Sequence, residues 1–252
     1  MPHDERLYVS QILLVLASSP LAWTGSSARL RVVGYSLGGG IAVHFANAVP
    51  HLVESLVLLA PAGLIRAESF GALSNFVFKS GLVPERVVAV LTKRRLQQPI
   101  ASSKKKALEA AKATAESRAE AFADVAVSEA ADPPPGQAPT PIEGRVLMYV
   151  RWMVDNHPGF VPAFMSSIQH APLTEQHSSW EKLAQRKRGS TAVLLAERDE
   201  IIDMQEYTRH ALPLVGGKDH VVWKVMPGGH DFVMTHSKLV LEELDELWGT
   251  SS

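Results

Sequence analysis

The chain of 252 residues contains no cysteine. Disulfides, thiolate nucleophiles and cysteine-ligated metal sites are therefore excluded, and a cytoplasmic setting is expected. It also lacks an excess of either charge. Lys and Arg number 25 against 26 Asp and Glu, a formal net charge of −1. No basic field is available to draw in nucleic acid or an anionic lipid surface, so neither is expected as a partner. No apolar run reaches the roughly 18 residues of a membrane span, so none is expected. The apolar stretch Ile12 to Ala17, followed by Ser-Ser-Pro, resembles the core of a secretory leader in length. Its upstream flank carries Asp4 and Glu5 beside Arg6 rather than a clear positive charge, so the stretch reads as a helix of the fold.

What is present is ordinary globular material, with 46% apolar and 20% charged residues. The length suits one large domain or a core with an insertion. Residues 5–18 read as a helix with a broad apolar stripe (Leu7, Ile12, Leu13, Leu14, Leu16). Leu30 to Val33 reads as a buried strand, and Leu37 to Ala48 as a helix ended by Pro50. LVLLA at 56–60, TAVLLA at 191–196 and VVWKVM at 221–226 read as three more buried strands. Helical patterns follow near 204–212 and 238–248. Continuous apolar strands alternating with helices predict a parallel sheet flanked by helices, an α/β fold.

That alternation is interrupted over residues 64–188, which read as a mostly helical insertion. Residues 103–130 are rich in Ala, Lys and Glu with few large apolar side chains, as in a solvated helix. ADPPPGQAPTP at 131–141 predicts an extended, mobile break. Trp152, Phe160, Phe164 and Met165 mark a return of apolar content. Three regions are thus expected: 1–63 and 189–252 as the two parts of a core, and 64–188 inserted between them.

Gly34-Tyr35-Ser36-Leu37-Gly38 matches G-x-S-x-G. Five residues match by chance, so context decides. Here the motif follows an apolar strand and opens a helix, as a sharp turn presenting a nucleophilic serine requires. Such a turn strains the serine backbone, and side chains two positions either way are expected to clash. Gly39 and Gly40 keep the helix surface small for close packing. A glycine-rich phosphate turn is the bland alternative, but the fingerprints G-x-G-x-x-G and G-x-x-x-x-G-K-[ST] are absent here.

A serine hydroxyl needs a base to take its proton and a carboxylate to orient that base. Asp199 lies just past TAVLLA, at the carboxyl edge of the sheet, where sites of open α/β folds form. Glu197 and Glu200 are competitors that suit a solvated surface, and Asp203 suits a helix N-cap. His230 lies just past the last strand, in Pro-Gly-Gly-His-Asp-Phe. Of the ten histidines, His44 and His51 sit in or after the first core helix, and His157, His170 and His177 in the insertion. His236 is the nearest rival, at the start of the final helix. Ser36, Asp199 and His230 occur in the order of the α/β hydrolases, each just beyond a strand.

These segments, VVGYSLGGG, LVLLAPAG, LLAERDEII and MPGGHDF, resemble the α/β-hydrolase family over about half the chain, at its two ends. The resemblance implies cofactor-independent hydrolysis of a small-molecule acyl substrate through an acyl-enzyme. Ser36 would be the nucleophile, His230 the base, Asp199 the acid, and the Leu37 N–H one oxyanion donor, with no metal. The insertion stands where the family carries its cap. Serine at 36 disfavours epoxide hydrolysis and dehalogenation, which use aspartate there. An acyltransferase with the same triad is a further reading. So is a truncated or pseudo-hydrolase that only binds a ligand or partner.

One departure stands out. Only 35 residues precede Ser36, where the family places several strands and an oxyanion loop, often His-Gly; no His-Gly pair occurs anywhere in this chain. The expectation is a partial α/β-hydrolase fold with Leu30–Val33 as a raw sheet edge, impaired activity, and self-association through that edge.

Overall fold

The computed structural model describes residues 1–23, 29–65, 141–199 and 201–249. Two compact units divide the chain. One joins Met1–Ile65 to His170–Ser252, and the other is Arg66–Gln169.

In the first unit, helix α1 (Glu5–Ser18) begins at Asp4, whose carboxylate accepts the Leu7 N–H at 3.0 Å. This N-cap satisfies one of the amides that a helix start leaves unpaired. Strand β1 (Leu30–Tyr35) leads through Ser36 into α2 (Leu37–Ala48), and β2 (Val53–Leu59) follows. In the second unit lies α3 (Pro141–Asn156). The next helix, α4 (Phe160–His170), buries Val161 and Met165 and stacks Phe160 on Phe164 one turn later. The Ala/Lys/Glu-rich stretch and residues 131–140 of the Pro-rich break lie outside the described residues. The first unit resumes with α5 (His177–Glu181), a 3₁₀ turn (Lys182–Gln185) and β3 (Thr191–Ala196). Then come α6 (Met204–Leu214), β4 (Val222–Met226), the short α7 (Phe232–Thr235) and α8 (Ser237–Trp248).

The four strands form one parallel sheet in the order β1-β2-β3-β4. Every residue of β3 is buried, and in β2 all but Glu54. Central strands covered on both faces need apolar side chains at every position, which is why both read as unbroken apolar runs. Each such Leu or Val contributes about 1.5–3 kcal/mol by leaving water. β1 is an outermost strand, and among the described residues no strand pairs with its other edge.

Several element limits differ from those read in the sequence. β1 continues through Gly34 and Tyr35, because register with β2 carries on to Tyr35 opposite Leu59. β2 begins at Val53, three residues before its apolar run. Glu54 there faces solvent beside Arg31, and the buried Ser55 hydroxyl accepts from Trp248 Nε1 at 2.9 Å, so polar residues sit in a strand without cost. β2 stops before Ala60, whose φ of 39° leaves the β region. α1, despite its apolar stripe, has no buried residue; it packs on α2, and Leu14 stays 69% exposed.

Candidate active site

Ser36 sits between β1 and α2 with φ 52° and ψ −123°. A positive φ is strained for a residue with a side chain, by about 1–3 kcal/mol, and persists only where neighbours over-determine it. Here the Ser36 N–H donates to the Leu59 carbonyl at 3.0 Å. The Ser36 carbonyl accepts from Gly39 and from Ala62, each at 2.9 Å. Two of these backbone bonds hold the turn against the end of β2 and the loop after it, and the third, from Gly39, closes the turn on the start of α2.

The glycines around this turn do unequal work. A Cβ on Gly34 would stand 2.5 Å from the Gly38 carbonyl oxygen and 2.8 Å from Gly39 Cα, so none fits. A Cβ on Gly38 would meet nothing within 4 Å. The expected clash two positions after the serine is therefore not found among the described residues, because that position opens outward. Gly39 and Gly40 carry the second constraint instead. Their Cβ atoms would lie 2.6 Å from Pro61 Cβ and 2.6 Å from the Pro172 carbonyl oxygen, so α2 packs directly onto the loop after β2 and onto Pro172.

Asp199 and His230 come from adjacent loops, beyond β3 and β4. The two loops are laced together: Glu197 N–H donates to Met226 O, and Arg198 N–H to Gly228 O, both at 2.9 Å. Gly228 has φ +102°, which needs glycine, and turns the chain back toward β1. His230 Nδ1 lies 2.7 Å from Asp199 Oδ2, and His230 Nε2 lies 2.9 Å from Ser36 Oγ. The other Asp199 oxygen accepts the Ile201 and Ile202 N–H groups, each at 2.8 Å. The Asp199 side chain is 0% exposed and that of His230 5%. A carboxylate so placed is held in one orientation, with an ionic hydrogen bond strengthened by the dry surroundings.

The competing carboxylates and histidines lie elsewhere. Glu197 is exposed. Asp203 caps α6, accepting from Gln205 and Glu206. Glu200 lies outside the described residues. His44 Nε2 meets Gln176 Oε1 at 2.8 Å, and His51, His157, His170 and His177 are exposed. His236 stands just before α8, with Nδ1 3.0 Å from Thr235 Oγ1. Among the described residues, no group of three or more His, Asp or Glu side chains could hold a metal ion. No helix there is long and apolar enough to cross a membrane.

Two tyrosines near the site escape a motif reading. Tyr35 donates its hydroxyl to the His230 carbonyl at 2.8 Å, and its ring lies 5.2 Å from the imidazole. Tyr207, on α6, accepts the Leu64 N–H at 3.1 Å and meets Trp180 edge-on. Burial pushes the Tyr207 hydroxyl's pKa well up, and the Asp199 charge adds to this, so it stays protonated. Nothing local in the sequence marks either one, since both act on partners distant along the chain.

Solved structures resemble the whole chain. A meta-cleavage product hydrolase from Pseudomonas fluorescens superposes with a TM-score of 0.52 at 14% identity, covering 100% of this chain and 74% of its own. The carboxylesterase CesB from Bacillus subtilis gives 0.57 at 14% identity, covering 99% and 68%. The fold is that of the α/β-hydrolases. A membrane phospholipase A described as a bacterial virulence factor gives 0.57 at 17% identity, covering 98% of this chain; the chain spans 64% of that protein's length. No protein-family model matches the chain, and no curated protein matches it.

Proposed function

We propose that the chain is a serine hydrolase that cleaves an ester or related acyl bond through an acyl-enzyme. The observation that carries this reading is the continuous hydrogen-bonded path from Asp199 through His230 to Ser36 Oγ, at 2.7 and 2.9 Å. The 2.9 Å distance is within hydrogen-bond reach of a base and its nucleophile, and the 2.7 Å distance within that of the base and the carboxylate that orients it. Ser36 Oγ attacks the acyl carbonyl carbon while His230 Nε2 takes the hydroxyl proton. Asp199 holds His230 by Nδ1 and stabilises the imidazolium. Collapse of the tetrahedral intermediate expels the leaving group, which takes the proton from His230. Water then attacks the acyl-enzyme with His230 again as base, which releases the acid and restores Ser36.

Leu37 is the first residue of α2, and its N–H is assigned as one oxyanion donor. A missing second donor would lower the rate on the order of 100- to 1,000-fold, and slow turnover is the corresponding expectation. The unit at 66–169, inserted between β2 and β3, is assigned the choice of substrate on its place in the chain. The fold neighbours named as hydrolases and esterases favour a small-molecule acyl substrate.

A fluorophosphonate probe tests the reading. Ser36 should be labelled, and Ser36→Ala should abolish both labelling and ester hydrolysis. A chain that is folded yet neither labelled nor hydrolytic would instead be a binding module of hydrolase fold. Transfer of the acyl group to an alcohol in preference to water would make it an acyltransferase.

A further inference from the structure

Ser36 and His230 lie beyond the two outermost strands of the sheet, β1 and β4. Three inter-strand steps at about 4.8 Å each separate those strands by roughly 14 Å. The loop after β4 must therefore fold back across the ends of β3 and β2 to bring the imidazole to the serine. Lacing to the β3 loop holds its first residues, through the Arg198 N–H to Gly228 O. At His230 itself the main chain is held from the β1 side, by the Tyr35 hydroxyl on the His230 carbonyl at 2.8 Å. The Tyr35 ring also lies against the imidazole, with centroids 5.2 Å apart and planes at 34°. Tyr35 is half-buried and immediately precedes the serine, so the serine and the clasp on its base share one rigid turn.

We infer that Tyr35 is a positioning residue that clasps the His230 loop to the serine turn and so sets the Ser36–His230 distance. The inference rests on the serine-hydrolase reading for its catalytic consequence, but not for its structural one. The Tyr35 hydroxyl touches a main-chain carbonyl rather than a reacting atom, so it acts through the place of the imidazole. Removing it leaves substrate affinity alone and lowers the fraction of time the base is in reach of Oγ.

The experiment compares wild type with Tyr35→Phe, which keeps the ring and loses the hydroxyl, and with Tyr35→Leu, which loses both. Amide hydrogen exchange is followed over 228–232 and over 36–40, with fluorophosphonate labelling and ester turnover measured beside it. Tyr35→Phe should speed exchange at 228–232 while leaving 36–40 unchanged, and Tyr35→Leu should speed it further. Labelling rate and kcat should fall together, about 3- to 10-fold for one lost hydrogen bond, with KM nearly constant. In a His230→Ala background, Tyr35→Phe should change residual labelling less than about twofold, because the group it positions is gone. Unchanged exchange at 228–232 overturns the inference. So does a labelling loss that persists at full size in the His230→Ala background, since Tyr35 would then act on the serine turn. If wild type is not labelled at all, the serine-hydrolase reading fails, and the exchange comparison still decides the clasp.

Discussion

The centre of the sheet and its flanks are built to different rules. β2 and β3 are buried on both faces, and their Leu, Val and Ala side chains form the centre of the core. β1 and β4 leave Val33 44% and Val225 46% exposed. Yet the serine hangs from β1 and the histidine from β4, while β2 carries none of the three site residues and β3 only the aspartate. Stability is concentrated where the strands are covered. The candidate chemistry sits where loops from the sheet's two flanks converge over that rigid centre. The centre fixes register, and the flanking loops, tied by a few hydrogen bonds, bring the reacting groups together.

The sharpest way to break the comparison is at the flanks' chemistry. Ser36→Ala should lower kcat on the order of 10⁶-fold while melting temperature changes little, as read by turnover and thermal unfolding. Asp199→Asn should lower it on the order of 10⁴-fold, because His230 loses the acceptor that fixes its tautomer. A larger loss from Asp203→Asn or Glu197→Gln than from Asp199→Asn would reassign the acid. At the centre the expectation reverses. Leu58→Ala should cost about 2–5 kcal/mol of stability in denaturant unfolding, while the folded fraction is labelled at the wild-type rate. Asp203→Ala should cost about 1 kcal/mol through the lost α6 cap, with kcat nearly unchanged. The smallest effect on the fold is expected at Val33→Lys, on the open face of β1. It should leave unfolding within about 0.5 kcal/mol of wild type. It should also weaken any concentration-dependent association seen by sedimentation, since a charge blunts an edge strand. Association unaffected by that charge would place the contact elsewhere.

Much of the fold was legible because it rests on local requirements. Buried parallel strands must be apolar throughout, so TAVLLA and LVLLA announce themselves without reference to the rest of the chain. Gly34 was legible for a similar reason, since a strand turning at once into a helix brings atoms four, five and eight residues on (Gly38, Gly39 and Ala42) against its Cβ. Gly38 was misjudged because its surroundings depend on where the turn points. The exposure of α1 was equally hidden, because an apolar stripe states what a helix can bury and not what is there to cover it.

By itself, the order of residues along the chain determined the strand-turn-helix carrying Ser36, the parallel α/β character, and a short list of acids and bases beyond later strands. It could not decide which members of that list meet. Ser36 and His230 are 194 residues apart, and Asp199 and His230 are 31 apart. Their contact depends on the sheet order β1-β2-β3-β4, on the lacing of the β3 and β4 loops, and on Gly228 turning the chain back. The same tertiary arrangement set Tyr35 against His230 and placed the Ile201 and Ile202 amides on Asp199. Backbone and side-chain preferences act over a few residues, whereas a hydrogen bond of 2.7 Å between distant loops exists only once the whole sheet has formed.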